Sequence, residues 1–292
     1  MKIGYQGIGG AYSEVALYNY FGHDVETVGF PLFEKVFAAL KQGTITYAVL
    51  PVENTIAGSV GINYDLLFRE DVFAIGDIYL PIQHTLLSHP GNTFSRVRRV
   101  YSHPVALSQC REFLNKHNII PVPEYDTAGA AKIISEYRDM EEGAIASELC
   151  AEKYKLIVLD RQIQSNRENI TRFFVIAKST MLPKNLIMEK SSIVFSTHHH
   201  PGALVKCLEV LAYHNLNLSK LESRPIPENP FQYRFFVDFD GGITDESVLS
   251  ALQILKKDCR ELKILGSYPR GKLVRMPAEY KMISTNACEI AR

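Results

Sequence analysis

Apolar residues recur along this chain in two rhythms. Short runs bounded by Gly, Pro or polar positions predict strands at 3–6, 47–52, 74–80, 97–102, 143–146 and 172–178. Between them, apolar positions three and four apart predict helices at 13–21, 32–42, 104–116, 127–137 and 146–153. The second of these helices carries Leu32, Val36, Phe37 and Leu40 on one stripe, and Gly43 follows as its C′ residue. Pro104 opens the third at the first helical position, where a missing N–H costs nothing. Strands alternating with helices predict open α/β layers over residues 1–180.

The pattern changes after residue 179. Residues 179–190 mix Pro183 with polar positions and predict a linker. Beyond it the order is strand 192–198, helix 203–213, strands 216–223 and 233–239, helix 247–256 and strand 262–268. Ile193 and Phe195 share one face of the first strand, and Pro225, Pro227 and Pro230 fill the connection between the middle pair. This βαββαβ order predicts a ferredoxin-like unit over 191–270. Residues 271–292 carry little pattern and are expected to be a C-terminal tail.

Composition narrows the function classes. The 292 residues hold 32 basic and 32 acidic side chains, so no basic stripe is available for nucleic acid. No apolar run approaches the roughly 20 residues of a membrane helix, and the first residues read as a strand and not as a signal peptide. The five cysteines are odd in number and scattered without a CxxC pair, which points to reduced thiols in a cytoplasm.

Several strand-to-helix junctions carry small or hydroxyl residues, around Gly10–Ser13, Asn54–Ser59, Ser102–Pro104, Asp126–Gly129 and Asn169–Arg172. Helix N-termini at the carboxyl ends of strands offer free N–H groups to anions, so together these junctions suggest a cleft for a small carboxylate. For any one of them ordinary helix capping is the better explanation. Glu53, at a strand end, is a candidate acid or base, or a partner for a helix dipole. His84, His89 and His103 lie near strand ends and suit proton transfer, but a lone histidine is more often a packed or solvent-facing residue. His198, His199 and His200 alternate faces along a strand end and predict no metal site. Gly4, Gly7, Gly9 and Gly10 do not meet the G-x-G-x-x-G spacing, and there is no phosphate-binding loop, so no nucleotide cofactor is expected.

These segments, taken in order, resemble a known family, prephenate dehydratase with a C-terminal ACT domain. The carriers are Gly4-Tyr5-Gln6-Gly7 with Gly10-Ala11-Tyr12-Ser13, Pro51-Val52-Glu53-Asn54-Thr55 with Gly58-Ser59-Val60, Ser102-His103-Pro104 with Gln109-Cys110, Asp126-Thr127-Ala128-Gly129-Ala130, and Asn169-Ile170-Thr171-Arg172-Phe173. In the second half Gly202-Ala203-Leu204-Val205 and Glu222-Ser223-Arg224-Pro225 resemble the family's two effector motifs. The resemblance covers Met1 to about Pro269. Thr55 stands where the family more often has serine.

The resemblance implies a two-lobed catalytic region over 1–180, like a periplasmic binding protein. Lobe one would take about 1–77 and 172–180, and lobe two about 78–171, with the chain crossing near 76–80 and returning just before Thr171. It implies decarboxylation and dehydration of prephenate to phenylpyruvate, with no cofactor and no metal. Thr171 would be the catalytic residue, assisting departure of the ring hydroxyl. Asn54, Thr55, Gly58, Ser59, Ser102 and Thr127 would hold the substrate. Arg172 would anchor a carboxylate or hold the hinge, and Phe173 would pack beside the ring. The expected effector is L-phenylalanine, bound by Gly202, Ala203, Leu204, Val205, Asn217, Leu218, Glu222, Ser223, Arg224 and Pro225. Asn217 and Leu218 are expected beside the turn at 202–205, in a homodimer or homotetramer. Simple dimerisation without a ligand is the alternative for that unit. Arogenate dehydratase is the nearest rival activity, and a non-catalytic sensor of an aromatic acid is a rival of another kind.

Overall fold

The structure is a computed structural model and describes residues 1–137, 139–181 and 187–274. Strand β1 (Lys2–Gln6), helix α1 (Tyr12–Phe21), β2 (Glu26–Phe30), α2 (Phe33–Gln42), β3 (Tyr47–Asn54), the short β4 (Gly58–Ser59), α3 (Gly61–Arg69) and β5 (Val72–Pro81) build the first lobe. A second sheet follows, carried by β6 (Thr85–Ser88), β7 (Arg99–Ser102), α4 (Pro104–Gln109), α5 (Arg111–His117), β8 (Ile120–Pro123), α6 (Thr127–Glu136), β9 (Glu142–Ala146), α7 (Leu149–Tyr154) and β10 (Ile157–Arg161). Strand β11 (Ile170–Lys178) brings the chain back to the first sheet. The last unit is β12 (Lys190–Thr197), α8 (Ala203–Tyr213), β13 (Leu218–Ile226), β14 (Asn229–Asp240), α9 (Glu246–Asp258) and β15 (Cys259–Tyr268).

The second lobe is a five-stranded sheet in the order β10-β6-β9-β7-β8. The first lobe and the C-terminal unit share one sheet, β13-β14-β12-β15-β5-β11-β3-β1-β2, with β4 paired to β3. The join is narrow, a single parallel bridge between Gly266 and Ala74. A Cβ at residue 266 would lie 2.5 Å from Ala74 Cβ, so glycine is what lets the two strands meet.

Burial explains why the two halves do not separate. In β12, Ile193 and Phe195 face helices α8 and α9 and share their core with Leu211, Val248 and Leu255. Val194, on the opposite face, joins Phe236, Leu265 and Tyr268 in a different core, packed with Leu40, Leu50, Tyr64 and Phe174 of lobe one. Period-two alternation therefore gives the C-terminal sheet two buried faces, one of them against the first lobe.

The βαββαβ order of the C-terminal unit matches the periodicity, and so does the α/β alternation before it. Three expectations change. The chain crosses between Pro81 and Thr85, later than 76–80, because all ten residues of β5 belong to the first sheet. It returns through 162–169. The helix expected at 104–116 breaks at Cys110, where φ −103° and ψ 10° leave helical geometry. The tail begins as packed backbone: Gly271 N donates to Asp77 Oδ1 at 2.7 Å and Val274 N to Tyr79 O at 2.9 Å. Most of the expected tail, 275–292, and the middle of the expected linker, 182–186, lie outside the described residues. Among the described residues no helix is long and apolar enough to cross a membrane.

Candidate active site

Where the two sheets face each other, a cleft of about 350 Å³ opens between the lobes. Lobe one lines it from the end of β3 and the start of β11 with Pro51, Asn54, Thr171 and Phe173. Lobe two lines it with His84 after the crossover, with His103, Val105, Ala106 and Gln109 of α4 and its cap, and with Asp126 and Thr127 at the start of α6. The walls are apolar where Val60, Ile82, Val105 and Phe173 lie, and polar side chains from both lobes converge between them.

A chain of hydrogen bonds joins the lobes along this cleft. Asn54 Nδ2 donates to Thr171 Oγ1 at 2.9 Å and lies 2.7 Å from Asn169 Oδ1. Asn54 Oδ1 accepts from the N–H groups of Ile56 and Ala57, which fixes the amide orientation. Asn169 Nδ2 donates to Gln109 Oε1 at 3.0 Å, and His84 Nε2 meets the same oxygen at 2.7 Å. His84 Nδ1 then lies 2.9 Å from the Tyr12 hydroxyl, which also reaches Gln83 O at 2.8 Å. Burial lowers the His84 pKa, and the bond to Gln109 only partly opposes this, so the ring is held neutral. Burial pushes the Tyr12 phenol up, so it remains a donor.

Thr171 is 9% exposed and its oxygen accepts from Asn54. Among the described residues the hydroxyl donates to no protein group, so its proton is free to point at a bound molecule. The next residue looks the other way. Arg172 is buried against the C-terminal unit, with Nε 3.1 Å from Asp77 Oδ2, Nη2 2.8 Å from the Tyr268 hydroxyl, and Nη1 bonded to Asp238. Lys190 joins this cluster, 3.8 Å from Asp77 and 3.1 Å from the Tyr79 hydroxyl. Burial disfavours the guanidinium charge, but Asp238, Tyr268 and Asp77 outweigh it and keep Arg172 charged. Arg172 therefore does not reach the cleft as a carboxylate anchor. Successive strand residues point to opposite faces, and Thr171 has the cleft face.

The structure also moves four other expected substrate positions out of the cleft. Thr55 Oγ1 donates to Glu168 O at 2.9 Å and accepts from Ile170 N at 3.0 Å, fastening the returning crossover. Gly58 is exposed with φ +81° and makes the turn into β4. Ser59 bonds Glu222 and accepts from Lys220 Nζ at 3.0 Å, so it faces the C-terminal unit. Ser102 is fully buried and donates to Ile145 O at 2.6 Å, tying β7 to β9. Asn54, Thr127, Thr171 and Phe173 do share the cleft. Tyr12, His84, Gln109, Asp126 and Asn169 join them. Tyr12, Gln109, Asp126 and Asn169 lie inside the segments that carry the resemblance, and His84 is a proton-transfer candidate, but no spacing marks their direction.

A second set of contacts holds the lobes together. Ser147 Oγ donates to Gly10 O, the Tyr154 hydroxyl donates to Gly9 O at 2.6 Å, and Lys153 pairs with the buried Glu14 at 2.7 Å. Gly10 sits at φ +91° hard against Cys150, which only glycine permits. Among the described residues no group of three or more His, Cys, Asp or Glu side chains assembles as a metal site.

In the C-terminal unit, Gly202, Ala203, Leu204 and Val205 line a hollow of about 250 Å³ with His198, Phe231 and Tyr233. Ser223 and Pro225 lie toward this end of β13, since Pro225 pairs with Tyr233. Glu222 and Arg224 turn to lobe one, bonded to Ser59 and Asp65. Asn217 and Leu218 lie at the far end of the sheet, where Leu218 pairs with Phe239. The 11-residue α8 separates them from the turn, roughly 16 Å along its axis, so within one chain they do not sit together.

A family model described as prephenate dehydratase matches residues 3–181. The chain is 38% identical over 278 residues to Arogenate dehydratase/prephenate dehydratase 2, chloroplastic, of Arabidopsis thaliana, covering 92% of this chain and 73% of that one. It is similar to the structure of a prephenate dehydratase in complex with L-Phe from Arthrobacter aurescens, with TM-score 0.84, 30% identity, and coverage of 92% and 90%. It is also similar to a structure described as GqqA, a novel type of quorum quenching acylases, with TM-score 0.86, 32% identity, and coverage of 92% and 98%.

Proposed function

The chain belongs to the prephenate dehydratase family and is a lyase, and on that premise we propose how its cleft works. Prephenate loses its ring carboxylate as CO2. The electron pair of that bond enters the ring, the bond to the ring hydroxyl breaks opposite, and the hydroxide leaves as water once it gains a proton. Aromatisation drives the reaction and leaves phenylpyruvate. The protein's task is to meet the departing oxygen. The observation that carries this reading is the Thr171 hydroxyl, held from behind by Asn54 Nδ2 with its own proton uncommitted. One preorganised donor of this kind is worth about 3–4 kcal/mol in a water-poor site. Phe173 supplies an apolar wall, and the first-turn N–H of α6 at Thr127 suits a carboxylate.

The test is phenylpyruvate formation from prephenate by purified protein, with Thr171→Ser and Thr171→Val alongside. Serine should keep part of the rate, and valine should lose roughly a hundredfold or more in kcat. Near-normal turnover by Thr171→Val would remove Thr171 from the mechanism.

The C-terminal βαββαβ unit is, on this reading, an ACT domain that binds L-phenylalanine and lowers activity. The similar Arthrobacter structure, described as an L-Phe complex, supports the ligand. The turn at 202–205 and the Asn217 end of β13 belong to one effector site only if a second copy supplies one of them. Exposed Val205, Leu221, Phe231 and Tyr233 offer an apolar surface for that copy. The assembly is then a homodimer or homotetramer. Free, buried Cys110, Cys150, Cys207 and Cys259 suit a reducing cytoplasm. Adding phenylalanine to the prephenate assay, with the molar mass measured in solution, tests both points.

A further inference from the structure

The cleft has an unusual charge balance for a site that takes a dicarboxylate. Among the described residues lining it, Asp126 carries the one carboxyl group and none is a lysine or arginine. The nearest guanidinium by sequence, Arg172, is turned away and neutralised by Asp77 and Asp238. A lone carboxylate in such a lining disfavours a dianionic substrate more than one whose ammonium offsets one of its two carboxylates.

Prephenate and its aminated counterpart arogenate are the same molecule except at one carbon. The side-chain α-carbon is a ketone in the first and bears an ammonium in the second. Ring, leaving hydroxyl and both carboxylates are shared. A residue that separates them must therefore act at that carbon. A ketone calls for a hydrogen-bond donor, and an ammonium calls for an acceptor, best an ionised one.

Asp126 is such an acceptor. One carboxylate oxygen, Oδ1, takes the N–H of Gly129 and caps α6. Among the described residues no donor bonds Oδ2. Thr127 follows directly, its N–H in the first turn of α6 where no helical partner exists. A carboxylate acceptor beside a free N–H matches the ammonium and carboxylate that an α-amino acid carries on one carbon.

Resting on the dehydratase reading above, we propose that Asp126 is a specificity-determining residue that binds the α-ammonium of arogenate and tilts this cleft toward arogenate over prephenate. The capping bond orients the side chain for this role and does not compete with it, because the two oxygens divide the work.

The experiment measures kcat/KM for both substrates in the full-length protein and in Asp126→Asn and Asp126→Ser. Asparagine and serine cap helices about as well as aspartate, so both variants keep the start of α6. The unaltered protein should favour arogenate. Asp126→Asn should lower the arogenate-to-prephenate ratio about tenfold or more, with arogenate losing and prephenate gaining as the like charge goes. A cap acting only on the fold scales both substrates together and leaves the ratio fixed. A ratio within about threefold of the original in both variants overturns the proposal, as does a protein that turns over prephenate but not arogenate. A protein that turns over neither overturns the dehydratase reading itself.

Discussion

Replacing Arg172 by methionine separates two roles that predict different measurements. The residue is 5% exposed and its side chain engages Asp77, Asp238 and Tyr268. Methionine fills much of the same volume but leaves both carboxylates in a buried interface without their main cation. Asp77 keeps Lys190 at 3.8 Å and the N–H of Gly271, and Asp238 keeps the Ser192 hydroxyl. Removing one partner of a buried pair costs about 3–5 kcal/mol, and the residual partners favour the lower end. At roughly 2–4 °C per kcal/mol for a protein of this size, the unfolding midpoint should fall by about 10 °C. Asp238→Asn in the same background should return part of the loss, since the two residues share one interaction. Thermal unfolding by circular dichroism and prephenate KM, measured on the same preparation, provide the check. A midpoint within about 2 °C of the original together with a tenfold rise in KM would refute the buried-cluster account and restore Arg172 as a substrate anchor.

Two further outcomes follow from the geometry. The neutral His84 ring contributes stability that is complete above its ordinary value of 6.5 and is lost as pH falls through its lower folded value; His84→Gln should flatten unfolding midpoints over that acid window, and an unchanged slope would show that His84 does not govern it. Ser102→Ala should cost about 1–2 kcal/mol through the unpaired Ile145 carbonyl, with prephenate KM unmoved, whereas a raised KM at unchanged stability would place Ser102 at the substrate.

Periodicity read the large features because they rest on burial. The βαββαβ unit shows in Ile193 and Phe195, which the helices cover, and α2 shows in the stripe at Val36, Phe37 and Leu40. Two of the short strands were not legible. Strand β8 is Ile-Pro-Val-Pro at a sheet edge, where proline is tolerated but reads as a turn, and β6 is four fully buried residues without alternation. In the site, contiguous recognised segments put Thr171 beside Arg172 and Asn54 beside Thr55. The pleat sends Thr171 into the cleft and Arg172 out of it, and a crossover contact claims Thr55. Gln109, Asn169 and Tyr12 are separated by tens of residues, and only the fold makes them one hydrogen-bonded row.

The core shared by lobe one and the C-terminal sheet bears on where this chain can be divided. The family match ends at residue 181, yet the folded body does not. A chain cut there would bare Leu40, Leu50 and Tyr64 where Phe236, Leu265 and Tyr268 now cover them. It would leave Arg172 without Asp238 and Asp77 without Lys190. Such a fragment would carry every group of the cleft and still be expected to aggregate. The chemistry and its covering sheet are expected to fold as one piece.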